Sequence, residues 1–100
     1  MKYDKLVRDR IPEIIRKKGG ESTIRIADDT EYWHKLKTKL TEEVAEFIES
    51  ESHEEIADIL EVLEAAAAHK GYKWRTVLAM HKKKADKRGG FKKRIILMET

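Results

Sequence analysis

The sequence predicts a mainly α-helical fold: an antiparallel helical hairpin, a third helix, and a small two-stranded β-ribbon. Three observations predict it. Apolar residues recur three and four positions apart through two long stretches, the spacing of a buried helical stripe. A short polar break, "SHEE" at 52–55, separates those stretches. Strand-like alternation is confined to two brief segments, "STIRIAD" at 22–28 and "FKKRIILM" at 91–98.

Each element follows from local chemistry. "IPEIIRKKGG" reads as a short helix, with Pro12 tolerated in the first turn and Gly19 and Gly20 stopping it. A long helix from about Thr30 to Ser50 carries Trp33, Leu36, Leu40, Val44 and Phe47 as its stripe. Ser52 followed by Glu55 matches a capping box that restarts the chain as a helix running to Gly71. Its main face is Ile56, Ile59, Leu60, Leu63 and Ala67, and Val62, Ala65 and Ala66 widen the apolar arc past the half-circle, so two sides are covered. A further helix spans about Trp74 to Arg88 and ends at Gly89 and Gly90. The tail at 91–98 is expected to pair with residues 23–27, and an isolated ribbon of that kind must lie on the helices to persist. Three helices with a two-sided apolar face do not close a core, so two hairpins are expected to join in a four-helix-bundle-type core.

One hundred residues make one domain, residues 1–100, and a chain of this length buries roughly 65% of its unfolded surface. Charged residues are 41% of the chain and there is no cysteine, which excludes disulfides and thiolate chemistry. No apolar run approaches a membrane span, and the start reads as charged rather than as a signal peptide, so a cytoplasmic protein is expected.

The net charge of +3 conceals a division. Residues 42–61, "EEVAEFIESESHEEIADILE", hold nine carboxylates, and no Lys or Arg lies between Leu40 and His69. Glu43 and Glu46 project from neighbouring points on one helix, on a flank of its apolar stripe; Glu55 and Asp58 do the same on the next. In an antiparallel hairpin with a short turn, residues equidistant from the turn share a level. Four carboxylates therefore converge within about one helical turn, at the edge of the core, and require cations. All-oxygen ligation suits Mg2+, with Mn2+ as the second choice. Zinc and di-iron readings fit worse, because Ala57 stands where a second histidine would follow His53 and no E-x-x-H motif is present.

"EEVAE" followed by "EEIAD" resembles the EExxE…ExxD signature of the MazG-like all-α nucleoside triphosphate pyrophosphohydrolases. "KLVRDRIPEII" and "KADKRGGFKKRI" resemble the small phosphoribosyl-ATP pyrophosphohydrolase-like members, so the resemblance covers almost the whole chain. It implies that Glu43, Glu46, Glu55 and Asp58 are Mg2+ ligands, and that Lys84 and Arg88, four apart on the last helix, hold phosphates. It implies hydrolysis of a nucleoside triphosphate to the monophosphate and pyrophosphate, including house-cleaning of noncanonical nucleotides, by a homodimer or homotetramer. Glu46 or Glu55 is left to orient or deprotonate the attacking water. The chain departs from the family pattern in its short linker, Phe47 to Glu54, and in Ala85, which replaces an aromatic residue.

Other residues have structural readings. Arg8 and Asp9 either reach a ligand or partner, or pair with each other to tie down the N-terminus. Trp33 is core or a base-stacking surface, Trp74 anchors the last helix, and His53, His69 and His81 are loop or surface histidines. Two rival functions stand beside the enzyme: a nucleic-acid-binding module on the basic last helix, which leaves the carboxylates unexplained, and a non-catalytic nucleotide-binding oligomer, which keeps fold and metal without turnover.

Overall fold

The structure, a computed structural model, describes residues 4–100. Four helices follow one another: α1 (Ile11–Lys17), α2 (Asp29–Ser50), α3 (His53–His69) and α4 (Trp74–Arg88). Pro12 sits in the first turn of α1, and Gly19, at φ 87°, follows its end. Asp28 caps α2, its side chain accepting a hydrogen bond from the Glu31 N–H at 2.8 Å. That satisfies one of the donors a helix start leaves orphaned.

Helix α2 ends in a tight reversal. Glu51 adopts the left-handed conformation (φ 55°) and its N–H donates to the Phe47 carbonyl at 2.7 Å. Ser52 occupies the N-cap position of α3, but its side chain makes no capping hydrogen bond, so the expected capping box does not form. Its own N–H is taken by the Ser50 hydroxyl at 3.3 Å, and Glu55 turns toward other carboxylates instead of back to the cap.

The main packing is between α2 and α3, and α4 touches α3 far less. At one end the Trp33 ring stacks on His69 with centroids 5.7 Å apart, and Tyr32 meets His69 edge-on at 5.2 Å. Lys70 lies over Trp33 at 4.3 Å. At the other end Glu43 lies beside Glu55 and Asp58.

The buried positions correct the expected faces. On α2 the inward row is Trp33, Leu36, Leu40, Glu43 and Phe47, with Val44 turned outward. On α3 it is Glu55, Ile59, Val62, Ala66 and His69, while Ile56, Leu60 and Leu63, expected on the main face, are exposed. A face carrying Val62, Ala65 and Ala66 permits close helix approach, and Ile56, Leu60 and Leu63 lie outside it. Buried apolar residues are confined to Leu36 and Val62 among those described, at 2% and 8% exposure.

Neither strand-like segment forms a strand, and no ribbon is present among the described residues. Arg25, itself exposed, bonds Asp4 at 2.8 Å and Glu31, and Ile24 and Ile26 are exposed as well. That side-chain clasp holds the segment against the start of α2, away from the tail, whose Phe91 and Ile95 to Met98 stay exposed. The Cα radius of gyration is 17.8 Å, against about 13 Å for a compact domain of this length. No described helix is long and apolar enough to cross a membrane.

Candidate functional site

Glu43 occupies a position in the heptad-like row of α2 where its neighbours, Leu40 and Phe47, are apolar. It is 6% exposed, so it lies within the helix interface rather than on the flank that the spacing predicts. Burying an ionised carboxylate requires compensation, because the interior solvates charge poorly. Lys39, one turn earlier, comes within 3.4 Å of Glu43 Oε1. Glu43 Oε2 is buried with no hydrogen-bond partner.

Across the interface, Glu55 and Asp58 share the first turns of α3, three residues apart and thus on one side. One carboxylate oxygen from each of Glu43, Glu55 and Asp58 lies within 4.8 Å of the other two. Glu55 Oε2 is a second buried oxygen without a partner. Burial pushes the Glu55 carboxyl above its ordinary value, and the negative charge of Glu46 pushes further, with Asp58 and Glu43 adding to it. These groups crowd each other's charges, and one proton or one cation relieves them.

The donor set fits a hard divalent cation. An octahedral ion with metal–oxygen distances of 2.0–2.1 Å takes ligand oxygens about 3 to 4 Å apart, and the three oxygens here lie within 4.8 Å of one another. Two of the three carboxylates each carry a buried orphan oxygen, the condition a bound ion would satisfy.

The sequence-predicted ligands are therefore brought together in part. Glu43, Glu55 and Asp58 form the triad, and Glu46, exposed on α2, stands close enough to act on Glu55. Lys84 and Arg88 lie on exposed faces of α4, and neither makes the ion pairs found at the cluster. Those come from Lys39 and from Arg8, whose Nη2 donates to Asp58 Oδ1 at 2.8 Å and whose Nη1 stands 3.6 Å from Glu61 Oε1. Arg8 thus pairs with a member of the acidic centre, not with Asp9. No spacing rule pointed there, since the two residues are 50 positions apart. The signal available was the imbalance itself: nine carboxylates without a local cation require one from elsewhere in the chain.

His69, expected at the surface or in a loop, packs between Tyr32 and Trp33. Trp33 is correspondingly a packing residue, half-buried at the end of the helix pair away from the carboxylates.

No family profile matches the chain, and no solved structure matches it. An uncharacterized protein of Mycolicibacterium smegmatis is 61% identical over 41 residues, 41% of this chain. The match spans 42% of that relative's length.

Proposed function

We propose that the protein is a divalent-cation-dependent nucleoside triphosphate pyrophosphohydrolase of the MazG-like type, with Mg2+ held by Glu43, Glu55 and Asp58 and Glu46 beside them. The observation that carries this reading is the buried, unpartnered Glu43 Oε2, lodged in an apolar row and facing two further carboxylates. An acidic side chain in that position destabilises the metal-free fold, and a ligand role accounts for it where a solvated acidic face does not. When bound, the cation lowers the pKa of a coordinated water and offsets phosphate charge.

The chain's own residues divide the remaining work. Glu55, whose carboxyl is held above its ordinary value by burial and by Glu46, is one candidate to take the proton of the attacking water, in which case it does not ligate the cation. Glu46 is the alternative base and tunes Glu55 through its charge. Lys84 and Arg88 supply positive charge for the departing pyrophosphate, which requires α4 to swing toward the cluster or to act from a second copy. That second copy is part of the proposal. Helices α2 and α3 form an antiparallel hairpin, and two hairpins bury Val44, Ile56, Leu60 and Leu63 in a four-helix core of a homodimer or homotetramer. Light scattering is expected to report at least a dimer at micromolar concentration; a monomer contradicts this part.

Activity is tested by pyrophosphate release from a panel of ordinary and modified nucleoside triphosphates with Mg2+ or Mn2+, beside Glu43→Gln and Asp58→Asn. Turnover on some member of the panel, lost in both folded variants, is expected. Absence of turnover on every nucleotide, with the cation still stabilising the fold, replaces the enzyme with a nucleotide-binding oligomer.

A further inference from the structure

Arg8 reaches the carboxylates from the N-terminal segment, and its setting is more specific than a surface ion pair needs. Its backbone is fixed on both sides. The Arg8 carbonyl accepts the Ile11 N–H at 3.1 Å, just ahead of α1. Four residues upstream, Asp4 is bonded by Arg25 at 2.8 Å and lies near Lys35. Between these anchors the Arg8 side chain spans to Asp58 and Glu61 on α3.

Asp58 is also partly accessible, its side chain 40% exposed. With Arg8 donating to Oδ1, one oxygen of Asp58 is engaged by a monovalent cation beside the place where a divalent one fits. The two positive charges cannot both sit against one carboxylate without repulsion. Arg8 is itself half-exposed, and an ion pair of that kind is weak enough to be exchanged. A guanidinium fork released from a carboxylate meets the same geometry in a phosphate, with two parallel N–H donors against two oxygens.

We propose that Arg8 is a phosphate-binding residue held in reserve on Asp58: it neutralises Asp58 while the triad lacks a cation, and turns to the substrate's phosphate chain once Asp58 is engaged. This rests on the cation reading above and deepens it, naming the residue that couples cation binding to phosphate binding. The N-terminal segment thereby becomes part of the site, and Lys84 and Arg88 are relieved of supplying all the positive charge.

The test is binding of Mn2+ alone, then of preformed Mn2+–inorganic triphosphate, to the full chain carrying Arg8→Gln or Arg8→Lys, with circular dichroism confirming retained helix. Arg8→Gln is expected to bind Mn2+ about two- to fivefold more tightly, because the competing cation is gone. It is expected to bind the triphosphate complex about tenfold or more weakly, the loss of a charged hydrogen-bond partner. Arg8→Lys, which keeps charge but not the fork, should fall between. Mn2+ affinity unchanged or weakened in Arg8→Gln overturns the proposal, as does triphosphate affinity equal to wild type. Those failures leave the cation site standing. Wild-type protein that binds no Mn2+ overturns both together.

Discussion

The two ends of the α2–α3 pair are built from opposite chemistry. At one end Tyr32, Trp33 and His69 close the interface ring on ring, with Lys70 over the indole, and the contacts are complete in themselves. At the other end the same two helical rows continue into Glu43, Glu55 and Asp58, where oxygens are buried without partners. Periodicity does not distinguish these ends, since both obey the three-and-four spacing. Satisfaction does. The aromatic end is closed by its own contacts, whereas the carboxylate end leaves buried oxygens unpartnered, a departure from local rules of the kind expected at a functional site.

The largest effect is expected at Glu43. Glu43→Leu should raise the stability of the cation-free protein by about 1–3 kcal/mol, since an apolar residue replaces a poorly compensated buried charge. The same change should abolish stabilisation by Mg2+, and thermal unfolding with and without the ion reads both effects. Trp33→Ala at the opposite end should do the reverse. It should cost about 2–3 kcal/mol, below the loss for a fully buried tryptophan because Trp33 is only half-buried, and leave the increment given by Mg2+ intact. A Trp33→Ala protein that loses cation binding while remaining folded would show that the ends are not independent.

Acidity sharpens the contrast at lower amplitude. Glu55 has a raised carboxyl pKa in the fold, so the native state holds that proton at a pH where the unfolded chain has released it. Its contribution is fully present below the ordinary value of 4.5 and is lost as pH rises above it. Asp4 and Glu31 work in the other direction. Hydrogen bonds from Arg25 hold both carboxyls below their ordinary values, so their contributions vanish as pH falls under about 4. Cation-free wild type should therefore lose stability on both sides of the mildly acidic range. Glu55→Gln should lose only the alkaline limb, as followed by urea unfolding at a series of pH values. An unchanged alkaline limb in Glu55→Gln would move the effect to another group.

Much of the helical order was legible in the sequence because its signals are local. Pro12 in a first turn and the glycines after α1 and α4 punctuate the chain without help from tertiary structure. Trp74 to Arg88 was read at the bounds the fold adopts. Faces and strands failed where tertiary competition decided. Val62 and the alanines won the interface over Leu60 and Leu63 through close approach, which hydrophobicity alone ranks the other way. The alternation of Ile24, Arg25 and Ile26 suggested a strand, but Arg25 found Asp4 and Glu31, and two side-chain partners displaced a ladder that had no third strand to support it. Within the site, Glu55 and Asp58 were legible from spacing across a short turn. The depth of Glu43 was not, because a glutamate in an apolar row is assigned to the flank by default. Arg8 was visible only as a missing counter-charge.

The central claim is that the carboxylate end is unsatisfied because it awaits a divalent cation. Calorimetric titration of Mn2+ into wild type and Glu43→Gln, with unfolding followed in parallel, tests it most directly. Saturable binding to wild type, raising stability by about 2.7 kcal/mol at a hundredfold excess over the dissociation constant, and its loss in folded Glu43→Gln are the expected result. Equal Mn2+ binding by the two proteins, or none by either, would contradict it and return Glu43 to an unexplained buried charge.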